Sequence, residues 1–285
     1  MNKKFIATII GSIGLIGNAS AGQLLGWELD LTSLAASPYN TSASAKTTGI
    51  NNLAFGGESY ITNTFSGPIG IGSAFTFTDT GVFNIGQYNG GINLKLGLGE
   101  LTAVFNSTGS GNLGGSITFN AGGILALYYQ DHTSSDYGST ASNNYGAGNG
   151  TKIAEFEQLA GGGGGVNPNG TPTSNGQLTL NYKSTFFAPN VWKDTLSNDL
   201  PTFFTLGFVT SNASQDNGAN SNPGSIDPNL VTALGGALPN AAPISFFVAN
   251  GGQFKLETQT VPEPTTLALL GMGLLGASFR KRKQS

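Results

Sequence analysis

The chain contains no cysteine and only one histidine, His132. Without cysteine there are no disulfides and no thiol enzyme, so stability has to come from a packed core. One histidine and no thiolate also exclude a zinc site, which needs three or four nitrogen or sulfur ligands. Charge is scarce: Asp, Glu, Lys and Arg make up 9% of the residues. Residues 22–261 hold no arginine, and six lysines there stand against fourteen carboxylates, a net charge of −8. Nucleic acid and anionic lipid surfaces are poor partners for such a body, and no nucleic-acid partner is expected. Strong helical periodicity and fixed repeats are missing as well.

Glycine is plentiful, 44 of 285 residues, beside many Asn, Ser and Thr. Aromatic residues reach 10% and cluster in strand-like runs, which argues against disorder.

Both ends carry processing signals. Lys3 and Lys4 precede an apolar stretch at residues 5–17, and Ala19-Ser20-Ala21 follows with small side chains at the A-x-A positions. This pattern is that of a secretory signal peptide, with cleavage before Gly22. At the other end Pro262, Glu263 and Pro264 lead into an uncharged stretch, residues 265–279, closed by Arg280, Lys281, Arg282 and Lys283. At 1.5 Å per residue a helix over this stretch falls short of a bilayer core of roughly 30 Å, so it enters a membrane but anchors poorly. The basic cluster acts as a stop-transfer signal on the cytoplasmic side. The prolines keep the junction extended and outside the helix.

This tail resembles the PEP-CTERM sorting signal of Gram-negative bacteria, whose processing enzyme is an exosortase. The resemblance implies cleavage at or near Pro262–Pro264. It also implies passage through the general secretion machinery, a transient inner-membrane tether, and final residence at the cell surface or in the extracellular matrix. The expected organisation is a signal peptide (1–21), an extracellular domain (22–260) and the sorting segment (261–285).

Within the body, alternation with a period of two recurs. Trp27, Leu29 and Leu31 fall on one face. Phe75 and Phe77 oppose Thr76 and Thr78; Ile92, Leu94, Leu96 and Leu98 oppose Asn93 and Lys95. Ile117 and Phe119 flank Thr118, and Leu178, Leu180 and Tyr182 oppose Thr179, Asn181 and Lys183. Phe254 and Leu256 oppose Lys255 and Glu257. Residues 203–209 and 244–248 are nearly continuous apolar runs, as in strands covered on both faces. The expected fold is all-β, an antiparallel β-sandwich, jelly-roll-like or immunoglobulin-like, with long polar loops at 131–150, 161–176 and 211–229. A β-helix is the alternative. Short helical turns are expected at 191–199 and 230–234.

Candidate chemistry is thin. Residues 271–276 match G-x-G-x-x-G, but no strand precedes them and the chain ends soon after, so a dinucleotide role does not follow. Glu155 and Glu157 would share a strand face roughly 7 Å apart, inside the range of glycosidase carboxylate pairs. A Ser-His-Asp arrangement would have to use His132 beside Asp131 and Asp136. No cofactor is expected. Calcium is the one conceivable metal, through Asp131, Asp136, Asp216 and Asp227 in carbonyl-rich loops. Tyr137 and Trp192 are candidate stacking platforms for sugar rings.

PEP-CTERM proteins as a group are associated with exopolysaccharide, biofilm and flocs. Three segments also look similar to flocculation-associated members: Tyr128-Tyr129, the strand at 151–159 followed by polyglycine, and the strand at 178–187. The resemblance thus implies a non-enzymatic matrix protein with extracellular polysaccharide as its partner. A lectin-like carbohydrate-binding module and a glycoside hydrolase or lyase are the alternatives.

Overall fold

The structure, a computed structural model, describes residues 22–34, 45–131, 136–173, 176–202, 205–216, 226–236 and 242–258. The strands in chain order are β1 (Gly22–Gln23), β2 (Trp27–Asp30), β3 (Lys46–Ile50), β4 (Leu53–Phe65), β5 (Ala74–Tyr88), β6 (Ile92–Asn93), β7 (Glu100–Asn112), β8 (Ser116–Phe119), β9 (Ile124–Gln130), β10 (Thr151–Gln158), β11 (Gly164–Gly165), β12 (Gly176–Phe187), β13 (Trp192–Lys193), β14 (Thr205–Asp216) and β15 (Ser245–Thr258). Two short helical elements interrupt them, α1 (Ser142–Tyr145) and α2 (Pro228–Ala233).

The expected all-β, antiparallel architecture is present, and its two layers are opposite walls of one curled sheet. Eight long strands follow one another in the order β7-β9-β10-β12-β14-β15-β4-β5, and β5 then pairs back onto β7. The ring is therefore closed, which leaves these strands no long free edge. Every pairing in the ring is antiparallel, which rules out the β-helix.

Period-two alternation sets the two sides of the wall. Phe75, Phe77, Phe83 and Phe105 point inward and are buried, with Leu125 and Leu127 beside Phe105 on the next strand and Leu180 and Phe254 on more distant strands of the ring. Thr76, Thr78, Thr108 and Ser110 point outward and are exposed. Apolar inside and polar outside is the reverse of a transmembrane β-barrel. An eight-stranded ring is just wide enough for side chains to fill it. The interior gap lined by Phe55, Asp79, Phe83 and Tyr182 measures about 40 Å³, room for a few waters.

Within the run at 244–248, residues 246–248 are covered on both faces, whereas Ile244 at its start is 51% exposed. Phe246 and Val248 face the interior, while Phe247 points out beneath α2, where Val82, Ile226, Leu230 and Leu234 bury it completely. The predicted turn at 230–234 lies in α2, whose N-terminus is capped by the Asp227 carboxylate accepting from the Asn229 N–H at 2.8 Å.

Two expectations fail locally. Residues 92–98 do not form a strand: only Ile92 and Asn93 pair, with Tyr88 and Gln87. The Leu94 N–H still continues this pairing to Gly86 O on β5, but the Lys95 N–H turns away to Thr47 Oγ1, so the ladder stops there. Residues 191–199 form no helix either. Trp192 and Lys193 join β2, and the Asp194 carboxylate then accepts from the Leu196 and Asn198 N–H groups at 2.8 and 2.9 Å, closing a turn.

The polyglycine stretch is part of the packed architecture. Gly163 bridges to Thr179, and Gly164 and Gly165 pair with Ile117 and Ser116 as β11. A Cβ at Gly162 would lie 2.2 Å from Thr179 O, and one at Gly163 2.0 Å from Ile117 O. Only residues without side chains fit between β8 and β12 here.

Candidate functional site

The outer wall is where the barrel can meet a large partner. One part of it is chemically uniform. Thr64 on β4 lies opposite Thr76 on β5, Thr76 opposite Ser110 on β7, and Ser110 opposite Thr118 on β8. All four are exposed. A second row runs parallel to it, with Thr62 opposite Thr78 and Thr78 opposite Thr108. Asn120 extends this row by donating to Thr108 Oγ1 at 3.2 Å. Strand geometry spaces hydroxyls about 4.8 Å apart across the strands and about 6.8 Å along them.

The first row lines a shallow groove of about 470 Å³ together with Ser66, Asn112 and Ser116, with Phe65, Ala74, Phe75 and Gly111 supplying its apolar part. No charged residue lines it. Hydroxyl and amide groups both donate and accept, so such a surface matches a ligand that is itself rich in neutral hydroxyls.

A second polar feature lies inside. Asp79 is buried and lines two adjoining interior gaps. Burial pushes its carboxyl up to about 7, against a lowering hydrogen bond with Ser59. The Ser59 hydroxyl also accepts from Asn250 Nδ2 at 3.0 Å. On the neighbouring strands Tyr182, Ser107 and Gln158 form a second buried polar chain. Asp79 Oδ1, Asn63 Oδ1 and Gln158 Nε2 have no protein partner, as expected where small gaps hold ordered water.

A third feature is a carboxyl pair on the outside of β4 and β14. Burial, then the adjacent Asp216, pushes Glu58 up to about 8. Tyr137 and Tyr145 pack edge to face nearby, with ring centroids 5.4 Å apart, and Tyr145 donates to Asp227 Oδ2 at 2.9 Å. Burial raises both phenols. Glu100 Oε1 accepts from the backbone N–H groups of Asp136 and Tyr137, both at 3.0 Å. These contacts fasten the 136–150 segment and α2 to the wall.

The residues singled out from sequence fare differently. Trp192 is no sugar platform. It is 1% exposed, stacks on Trp27, and donates from Nε1 to Ile153 O at 2.8 Å. Tyr137 is half-buried in the pair with Tyr145 and lies outside the hydroxyl groove. Glu155 is held below the usual carboxylate range, first by its hydrogen bond to Lys152 Nζ at 2.6 Å and further by Thr185. Held ionised in this way, Glu155 does not fit the role of the acid in a Glu155–Glu157 pair.

Asp136 accepts from Asn149 Nδ2, and Asp227 caps α2. Among the described residues no three His, Cys, Asp or Glu side chains converge as a metal site. Gly22 opens β1. His132, Ala19, Ala21, Pro262, Glu263, Pro264, Arg280, Lys281, Arg282 and Lys283 lie outside the described residues. No helix among the described residues is long and apolar enough to cross a membrane.

Sequence reasoning missed the hydroxyl rows, the Glu58–Asp216 pair and Asp79. Alternation at Thr76 and Thr78 was the visible part of the first. Its extension over four strands depends on register, which the sequence does not print.

No curated protein and no solved structure matches the chain. A family model does match, over residues 260–283, directly after β15. The chain carries the PEP-CTERM protein-sorting motif, the mark of an exported surface protein targeted to an exosortase.

Proposed function

We propose that the barrel is a non-enzymatic component of the extracellular matrix, acting in exopolysaccharide-associated biofilm or floc formation through the hydroxyl-lined groove. The observation that carries this reading is the uncharged groove itself, on a body whose net charge is −8. An anionic polymer would be repelled by the body as a whole, whereas a neutral one meets donors and acceptors at strand spacing. The lectin-like alternative becomes part of the same proposal, with hydroxyl rows in place of aromatic platforms.

The test is sedimentation of the purified protein with neutral polysaccharide extracted from the producing culture. Thr76→Arg combined with Ser110→Arg fills the groove and should weaken binding by about tenfold or more. Glu157→Arg, exposed and outside the groove, should leave it unchanged. Equal binding by the wild type and the groove variant, or no binding by either, removes the groove from the proposal. Release of soluble sugar from the polymer by the wild type would return the hydrolase reading.

A further inference from the structure

Two processing points of the precursor are held together by one strand pair. Gly22, the first residue after the predicted signal-peptide cleavage, lies opposite Thr258, and Gln23 lies opposite Glu257. Leu24 N–H then donates to Leu256 O at 2.8 Å. Thr258 ends β15, and the sorting motif begins two residues later. The chain therefore enters and leaves the barrel at one rim.

That rim carries apolar side chains facing solvent. Leu25 is 57% exposed and Leu196 is 79% exposed. Their turns touch: a Cβ on Gly26 would lie 3.2 Å from Thr195 Cγ2. Six residues, 259–264, separate Thr258 from the uncharged stretch at 265–279. Fully extended, they span at most about 20 Å. With that stretch inserted, the rim cannot stand further than this from the hydrocarbon boundary, and the headgroup layer occupies several ångströms of the gap.

We propose that the Leu25–Leu196 rim rests on the lipid surface while the precursor is tethered. The proposal relies on the tail acting as a membrane segment, and extends that reading to the folded body. The tether supplies the effective concentration, and two leucines add a weak apolar contact that orients the barrel. Without the tail the contact is too small to hold the protein, so removal of the sorting segment releases the rim along with the chain. The groove row at Thr64, Thr76, Ser110 and Thr118 lies toward the other end of β4 and β5 and stays free for polymer even in the tethered state.

Because the chain has no cysteine, single labels are unique. Leu25→Cys and Leu196→Cys, each carrying an environment-sensitive nitrobenzoxadiazole dye, are placed in the full chain and reconstituted into zwitterionic vesicles of phosphatidylethanolamine and phosphatidylcholine, which do not repel the acidic body. Ile71→Cys, at an 80% exposed site in the turn between β4 and β5 at the opposite end, is the control. The expected result is a blue-shifted emission at 25 and 196, quenched by spin-labelled lipid, with neither effect at 71. Flotation of the protein with the vesicles reports the tail independently. Protein that floats while the labels at 25 and 196 stay as wet as that at 71 overturns the rim contact and leaves the tail reading standing. Protein that does not float overturns both. Shielding at 25 and 196 that persists in detergent without lipid means a contact between copies, and also overturns the proposal.

Discussion

Trp27 and Trp192 stack with ring centroids 5.3 Å apart and an interplanar angle of 26°. They join two strands far apart in the chain, since β13 pairs with β2 through Trp192 opposite Leu29. Both indoles are buried, and Phe187 packs on Trp192 at 5.4 Å. The small sheet β13-β2-β3 belongs to the same apolar core as the barrel interior.

Replacing Trp192 by Ala should therefore act on stability. The substitution leaves a large cavity and removes one of two donors to the Ile153 carbonyl, which keeps the Ala188 N–H at 2.9 Å. The expected cost is about 3–5 kcal/mol, read as a lower urea midpoint by far-ultraviolet circular dichroism. Trp192→Phe keeps part of the stacking and should lose less. Polysaccharide binding by the folded fraction should not change, because Trp192 does not reach the surface.

The second prediction concerns pH. Asp79 titrates near 7 in the folded barrel against 3.8 for the free side chain, because burial penalises its charge. A raised carboxyl means that the unfolded chain gives up its proton first as pH rises. The contribution is fully present below about pH 4, and is lost progressively as pH climbs to about 7 and beyond. The full swing is roughly 4 kcal/mol at 1.4 kcal/mol per pH unit. Asp79→Asn keeps the site neutral and removes this slope. The variant should gain on the wild type with rising pH, and parallel stability curves from pH 4 to 8 would show that Asp79 is solvated. Asp30 and Glu155 shift the other way and stabilise on the alkaline side, so the comparison must be between variants at each pH.

Strand positions were legible wherever inside and outside differ in polarity. Phe75 and Phe77 against Thr76 and Thr78 gave both the strand and its faces. Phe247 broke alternation because α2 covers it from outside, yet the unbroken apolar run predicted that cover. Ile92 to Leu98 shows the converse. The alternation is perfect, but Ile92 and Leu98 end up exposed, because the pairing with β5 ends at Leu94. Local pattern carries no information on whether a partner strand is free. Ring closure through β5 and β7 was hidden for the same reason, since it joins strands whose pairing depends on the whole sheet. The sorting signals were legible because a membrane reads them as linear composition. The groove was not, because it exists only once four strands are in register.

The polyglycine stretch supports a graded prediction. Gly163→Ala places a methyl group against Ile117 O, at a backbone φ of +139° that side chains rarely adopt. Gly162→Ala meets Thr179 O at φ +74°. Neither obstacle is a flexible side chain, so each substitution should cost more than about 2 kcal/mol. Gly161→Ala has open space at φ +96° and should cost only about 1–2 kcal/mol of backbone strain. Thermal unfolding of the three variants should rank them 163 and 162 well below 161. Equal, small effects would mean that the stretch is a loose linker.

Glu58 and Asp216 make the α2 cover sensitive to alkali. At pH 6 Glu58 is mainly protonated. As pH rises through about 8 Glu58 ionises beside Asp216, with the desolvated Tyr137 packed above. A raised folded value again means stability that is present at low pH and is lost as pH climbs, here between about 4.5 and 8. The strain falls on the elements fastened over the pair. Hydrogen exchange, converted to protection factors, should show the Val231, Leu234 and Gly236 amides losing protection at pH 9 relative to pH 6. Their acceptors are Asp227 O, Leu230 O and Val231 O, all within α2 and its cap. Glu58→Gln cannot ionise, so it should hold protection constant over the same range. Loss of protection in that variant too would place the alkaline weakness elsewhere in the barrel.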